Sequence, residues 1–404
     1  MTPLNRRRFL QLGSLGAGLA VPGFPFGDGR AAPFDSPLIL SLSKDEPLAQ
    51  GRAGTDDRRV RLSGDGLGLS PAEYAALLHR LLDEKGIVPD SYSLGGVVEE
   101  LEQQCARVLG KERAIFMPTG TLANHMAVRA LAGGSSRVIV QEESHLYQDE
   151  GDCAQTLSSL TLMPLAAGRA TFTADDLQRV LDQTKAARVV SRVSAISIET
   201  PVRRKQGERF DPAELEKIIA IARRDGIRLH LDGARLFLEA AYSGENVADY
   251  SRPFDTVYVS LYKYFNAASG AILAGPRDLI DGMYHGRRMF GGGLNHVWPY
   301  ALVALHYLGG FSDRFGQAVR VSEDWIRALR QHDRFTIDRV PMGTNLFRLQ
   351  VRGADPIAFR KRLETSGVLV SAPQGDTFLI GVNETLNRMT APALTDAFVR
   401  ALAG

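Results

Sequence analysis

Apolar residues recur at helical spacing in several stretches of the chain, and short β-branched runs lie between them. Leu77, Leu78, Leu81 and Leu82 share one helical face. Ser70-Pro71 before them supplies a capping residue and a proline at the first helical position, and Gly86 comes after them as a stop. A second helix is expected over Gly96 to Leu109, ending at Gly110. Asp211-Pro212-Ala213-Glu214 repeats the start signal, and Gly226 closes that helix just before Ile227-Arg228-Leu229-His230-Leu231. Ala114 to Met117, Val138 to Val140, Ala195 to Ile198 and Thr256 to Val259 read as buried strands. Strands alternating with helices imply crossover connections, hence an α/β fold with a mostly parallel sheet. Beyond Ser312 the pattern changes to one long helix, then strand-like runs at Thr344 to Val351 and Thr377 to Val382 around a helix near Pro356 to Ser366. We therefore expect a large domain over 63–311 and a smaller α+β domain over 312–404.

The first thirty residues obey a different rule. Asn5-Arg6-Arg7-Arg8-Phe9-Leu10 precedes a weakly apolar run, rich in Gly and Ala, from Leu12 to Val21. That run is shorter than the roughly 20 residues needed to cross a bilayer. Basic region, short apolar region and the small residues around Gly29-Arg30-Ala31 read instead as an export signal over 1–31. The arginine pair ahead of x-Phe-Leu resembles the twin-arginine pattern, which points to a periplasmic destination. Residues 32–62 mix Pro, Ser, Gly and Asp and read as a linker or extended arm.

Composition narrows the function classes. The chain has 404 residues, 44% of them hydrophobic, so it can bury a sizeable core. Its 48 basic and 46 acidic residues nearly cancel, which leaves no field suited to nucleic acid. Two cysteines, Cys105 and Cys153, cannot build a disulfide framework or a four-thiolate metal site.

Four local features carry chemistry. Pro118-Thr119-Gly120-Thr121 leads from a strand into a helix, where free backbone N–H groups and a hydroxyl can bind phosphate. Asp232-Gly233-Ala234-Arg235 comes directly after an apolar strand, so Asp232 sits at the carboxyl edge where open α/β sheets bind ligands. Lys263 comes after the strand Thr256 to Val259 and between two tyrosines, a setting that desolvates an amine and makes it nucleophilic. His145, after Arg137 to Val140, falls on the same edge. Each feature alone suits an ordinary cap, turn, surface lysine or structural histidine. In this order on one sheet they meet the needs of pyridoxal phosphate: an anchor for the phosphate, an aromatic platform for the ring, an acid for the pyridine nitrogen and an amine that carries the cofactor.

The residues also resemble a known family, the L-threonine aldolases of the β-eliminating lyase group, which are fold type I pyridoxal-phosphate enzymes. The matching stretches include Asp90-Ser91-Tyr92, Val98 to Glu102, Thr119 to Asn124, Glu143 to His145, Glu150-Gly151, Ile198-Glu199-Thr200, Leu229 to Leu236, Ser260 to Lys263 and Gly291 to Gly293. The resemblance implies that Lys263 carries the cofactor, Asp232 faces its ring nitrogen and His145 stacks on its ring. Gly120, Thr121, Ser260 and Arg235 would complete the cofactor site. Ser63, Tyr92 and Arg235 would receive the substrate. The expected reaction is cleavage of the Cα–Cβ bond of a β-hydroxy-α-amino acid, with His145 as the base. β-Elimination or other amino-acid chemistry on the same cofactor, and a non-catalytic binding protein, are the alternatives. Active sites in such enzymes form between subunits, so a homodimer or homotetramer is expected.

The sequence departs from the family at identifiable places. Tyr262 stands where serine is usual before the lysine, Leu294-Asn295-His296 come after the glycines, and Arg288 stands where lysine is common. The C-terminal strand that usually brings a second carboxylate-binding arginine reads Thr377 to Asn383 and has none. Arg348, Arg339 and Arg388 are the candidates to replace it.

Overall fold

The structure, a computed structural model, describes residues 58–403. The expected export signal and most of the expected arm lie outside the described residues. The described residues make one compact unit.

Its centre is a seven-stranded sheet of β1 (Arg113–Met117), β2 (Arg137–Gln141), β3 (Thr161–Leu165), β4 (Val193–Glu199), β5 (Arg228–Asp232), β6 (Thr256–Ser260) and β7 (Ala271–Gly275), in the order β1-β7-β6-β5-β4-β2-β3. The β6-β5-β4-β2-β3 pairings are parallel, and β7 runs antiparallel to both of its neighbours. Every residue of β4, β6 and β7 is buried, as a sheet covered on both faces requires. The register pairs Glu199 with Asp232 and Asp232 with Tyr258, so β4 and β5 end level with one another and β6 runs two residues further, to Ser260. That alignment forms the ledge on which the chemistry stands.

The capped helices form where the start and stop signals lie. Helix α1 (Pro71–Lys85) begins with a reciprocal capping box. The Glu73 N–H donates to Ser70 Oγ, and the Ser70 N–H donates to the Glu73 carboxylate at 2.7 Å. Of its four leucines only Leu77 and Leu81 are fully buried. Helix α2 (Gly96–Leu109) ends at Gly110 in the left-handed conformation. Helix α3 (Gly120–Ala132) comes after β1, with Thr119 Oγ1 capping the Leu122 N–H at 3.1 Å. Helix α4 (Pro212–Asp225) is capped by Asp211 and closed by Gly226.

The C-terminal residues build α5 (Phe311–Leu329) and an antiparallel sheet of β8 (Phe335–Asp338), β9 (Leu346–Val351) and β10 (Thr377–Gly381) with β9 in the middle. Helices α6 (Pro356–Thr365) and α7 (Ala391–Leu402) accompany it. Phe311, Trp325 and Phe398 belong to the same continuous core as Ile198 and Val259. The last residues of the expected arm are also part of the fold. Val60–Arg61 pairs in parallel with Val368–Leu369, and Val60 and Leu62 are fully buried, so this stretch is a strand rather than a linker.

Candidate active site

A cavity of about 760 Å³ opens at the carboxyl edge of the sheet. Its wall takes His145 from the turn after β2, Glu199 from the end of β4, Asp232 and Arg235 from the end of β5 and the turn beyond it, and Tyr258 and Lys263 from β6 and the loop after it. Ser63 to Gly66 and the start of α1, with Tyr74, close another side. Five of the residues expected from sequence therefore meet in one place: Lys263, His145, Asp232, Arg235 and Ser63.

Lys263 is held by the two aromatic residues after it. Tyr264 and Phe265 turn inward and join Phe237 and Phe311, with ring centroids 4.6 to 5.8 Å apart. This aromatic wedge fixes the backbone and leaves the Lys263 amine 4.9 Å from the Tyr262 ring. Opposite, Gly66 lies against the Lys263 carbonyl so closely that a Cβ there would come within 2.3 Å of it. Burial, and next the charge of Arg235, lower the Lys263 pKa from 10.5 to about 8. The amine therefore loses its proton more readily than an exposed lysine does.

Beneath the cavity a buried polar relay joins Asp232 to His145. The Asn124 amide donates to Asp232 Oδ2 at 2.7 Å and to Glu150 Oε1 at 2.8 Å. Both amide hydrogens are committed, so its carbonyl accepts from His230 Nε2–H at 2.9 Å, and His230 Nδ1 accepts from the Thr256 hydroxyl at 2.9 Å. Burial drives the His230 pKa down to about 4, which keeps that ring neutral as the relay requires. Asp232 Oδ1 accepts the Ala234 N–H at 3.1 Å.

His145 stands on the far side of this relay. Its Nδ1–H donates to Glu150 Oε1 at 2.9 Å, and its backbone N–H donates to Glu199 Oε2 at 2.6 Å. Burial pulls its pKa down, but the Glu150 hydrogen bond and the charges of Asp232, Glu150 and Glu199 outweigh that and raise it. Its side chain is 30% exposed whereas that of Glu150 is fully buried, so the better-solvated imidazole holds the proton of the pair. Glu199 is pushed up, by burial first and by Asp232 second.

The remaining expected residues divide into two groups. Arg235 Nε donates to Asp65 Oδ2 at 2.9 Å, an ion pair buried in the wall. Gly120, Thr121 and Ser260 do not line the cavity, yet Gly120 and Ser260 touch its border through Tyr258. A Cβ on Gly120 would come within 2.1 Å of Tyr258 Oη, so only glycine lets the phenol rest against the α3 N-terminus. Ser260 Oγ is buried without a hydrogen-bond partner, although the Tyr258 phenol is near. An orphaned hydroxyl beside the helix N-terminus at Gly120 and Thr121 suits an anion, and this cradle fits the phosphate of the expected cofactor. Tyr92 is elsewhere: it is 45% exposed with φ +53°, hydrogen-bonded to Asn295 O and covered by Arg288.

Several functional side chains carried no role in the sequence reading. Asn124, Glu150 and Glu199 lie within matched stretches, and His230 interrupts an apolar strand, which is the one local sign that it has polar work to do. Asp65, Arg203 and Tyr258 gave no signal. Arg348, Arg339 and Arg388 do not line the cavity. Arg339 pairs with Glu323, and Arg388 donates to the Arg59 carbonyl. Asn383, at the end of the strand that lacks an arginine, spends its amide on the carbonyls of Arg61, Ser63 and Gly64.

Sheet order, lysine, acid and cradle together define a fold type I pyridoxal-phosphate enzyme. The chain belongs to the β-eliminating lyase family, whose profile matches residues 89–352. Among solved structures it resembles a protein of Exiguobacterium sp. 255-15 named as an aromatic amino acid β-eliminating lyase/threonine aldolase, with TM-score 0.70 and 26% identity over 85% of this chain and 97% of that one. A Listeria monocytogenes protein named as an L-allo-threonine aldolase gives TM-score 0.68 and 29% identity over 85% and 95%. The low specificity L-threonine aldolase of Saccharomyces cerevisiae is 29% identical over 229 residues, 56% of this chain and 54% of the yeast protein. The chain spans about half the length of several curated relatives that it matches.

Proposed function

We propose that this protein is a pyridoxal-phosphate lyase that cleaves the Cα–Cβ bond of a β-hydroxy-α-amino acid, giving glycine and an aldehyde. The observation that carries the reading is Lys263, a partly buried amine of lowered pKa that opens into the same cavity as Asp232 and His145. Pyridoxal phosphate, when bound, supplies the electron sink that stabilises negative charge at Cα. Lys263 would hold the cofactor through its amine. Asp232, fixed by Asn124, would face the ring nitrogen, and the Gly120–Ser260–Tyr258 cradle with Thr121 would receive the phosphate. His145, oriented through Nδ1 by Glu150, presents its Nε2 to the cavity, where the neutral ring takes the proton from the β-hydroxyl. Ser63 and Arg235 lie on the substrate side.

The test is direct. Purified holoenzyme given L-threonine and L-allo-threonine is expected to release equal amounts of glycine and acetaldehyde, and His145→Phe is expected to keep the cofactor and lose turnover. Release of ammonia and an oxo acid instead would replace this reading with β-elimination. Absence of turnover with any amino acid, with cofactor bound, would favour a binding protein.

The assembly and the destination are part of the same proposal. Tyr92 lies away from its own cavity on an exposed segment, which supports a homo-oligomer in which it completes a neighbouring site. Loss of activity on dilution to monomers, reversed by adding the inactive Lys263→Ala chain, tests that. Arg6 and Arg7 support export of the folded protein to the periplasm, and retention in the cytoplasm after Arg6→Lys with Arg7→Lys is the expected result.

A further inference from the structure

The missing C-terminal arginine leaves a specific question, and the cavity wall contains a residue with the chemistry to answer it. Among the described residues, three lysine and arginine side chains line the cavity: Arg203, Arg235 and Lys263. Arg235 is already matched by Asp65 at 2.9 Å, and Asp65 also accepts from the Asn345 amide at 3.2 Å. Lys263 is committed to the cofactor. Arg203 remains. It opens the short turn Arg203–Lys205 beyond β4, and its backbone N–H donates to the buried Glu199 Oε1 at 3.0 Å. The peptide is therefore anchored at the sheet edge, while the guanidinium has no hydrogen-bond or ion-pair partner among the described residues.

The charges of the wall point the same way. Of its acids, Asp65 is paired with Arg235, Asp232 accepts from the Asn124 amide and would face the ring nitrogen, and Glu199 is driven toward its neutral form by burial and by Asp232. Arg203 is left as an uncompensated cation on an active-site wall. A guanidinium offers two parallel N–H donors that match a carboxylate, the one anionic group that every α-amino acid brings besides the cofactor's phosphate.

We propose that Arg203 is the receptor for a substrate carboxylate, taking the place of the arginine that the C-terminal strand lacks; this rests on the amino-acid lyase reading above. The carboxylate has two sources, the α-carboxylate or an acid on the substrate side chain. Both make the same contact.

The experiment titrates holoenzyme with glycine, with ethanolamine as the carboxylate-free amine, and with 3-hydroxyaspartate, reading the cofactor absorption, in the parent, Arg203→Ala and Arg203→Lys. Losing a charge-assisted contact is expected to weaken binding about tenfold or more. If Arg203→Ala weakens glycine and 3-hydroxyaspartate but not ethanolamine, with Arg203→Lys in between, the receptor serves the α-carboxylate. If only 3-hydroxyaspartate weakens, it serves a side-chain acid. The melting temperature of Arg203→Ala is expected to match the parent's, since the side chain holds no part of the fold. Parent-like affinity of Arg203→Ala for both acids overturns the inference and leaves the lyase reading intact. A parent that binds cofactor but responds to no amino acid, or that binds no cofactor, overturns both.

Discussion

Asn124 is the residue through which the two halves of the site are joined, and its replacement by leucine has a calculable cost. Asn124→Leu removes the donors that reach Asp232 at 2.7 Å and Glu150 at 2.8 Å, and it leaves the His230 Nε2–H without its acceptor. Hydrogen bonds to charged groups contribute about 1.5–3 kcal/mol each, and an orphaned buried donor costs about 1–3 kcal/mol. Partly offset by the apolar volume gained, the loss comes to roughly 4 kcal/mol, a large share of the ~5–15 kcal/mol that holds a domain together. Thermal unfolding of the apoprotein is expected to drop by roughly 8–16 °C, at ~2–4 °C per kcal/mol. The cycle with His230→Phe sharpens the test. Once the acceptor is gone, removing the His230 donor relieves an unsatisfied group, so the double variant is expected to cost less than the sum of the singles by ~1–3 kcal/mol. A melting temperature within 2 °C of the parent's (about 1 kcal/mol or less) for Asn124→Leu, or strictly additive singles, would refute the relay.

Three further outcomes rest on the same geometry. Ser260→Ala removes a hydroxyl that has no well-formed hydrogen bond among the described residues, so apoprotein stability is expected to hold while the cofactor dissociation constant rises roughly tenfold or more; unchanged cofactor affinity would contradict the cradle. Gly66→Ala drives a Cβ to within 2.3 Å of the Lys263 carbonyl and 2.5 Å of Asn266 Oδ1, so impaired cofactor loading is expected by absorbance titration, and normal loading would show that this approach does not matter. His145 must be neutral to accept a proton and its folded pKa is raised, so kcat/KM is expected to fall as pH drops through a value above the ordinary 6.5. Glu150→Gln is expected to move that limb to lower pH. The stability that His145 gains from Glu150 has the opposite dependence: it is complete below the unfolded pKa and lost as pH rises through the folded one.

How much of this was legible in the chain depends on how local each cause is. Helices α1, α2 and α4 carry their own caps and stops, and they form within a residue of where Ser70, Gly110, Asp211 and Gly226 put them. Strands β5 and β6 announce themselves by β-branched and apolar runs, which is why Asp232 and Lys263 could be placed on one edge. Two strands of the central sheet escaped. β3 contains Pro164, which an edge strand tolerates but which breaks the strand pattern. β7 is Ala-Ile-Leu-Ala-Gly, with little β-branching, and it is a strand because it fills the gap between β1 and β6. The relay was hidden for another reason. Asn124, Glu150 and His230 come from three separate parts of the chain, and nothing in their spacing shows that one amide serves two carboxylates. Arg203 gained its meaning only when Arg235 was found paired and Arg339 and Arg388 were found engaged elsewhere.

The central claim is that Lys263 carries the cofactor, and one labelling experiment tests it against an internal rival. Lys111 also has its pKa lowered to about 8 by burial, but its amine is spent on the carbonyls of Ser251 and Phe254 at 2.7 and 2.6 Å. Lys263 faces the cavity. Purified protein loaded with pyridoxal phosphate, reduced with borohydride, digested and weighed by mass spectrometry is expected to carry the reduced cofactor on the Lys263 peptide alone, with the visible absorption abolished and Lys263→Ala unlabelled. A colourless protein that takes up no cofactor, or a label on Lys111 or scattered over surface lysines, would contradict the account.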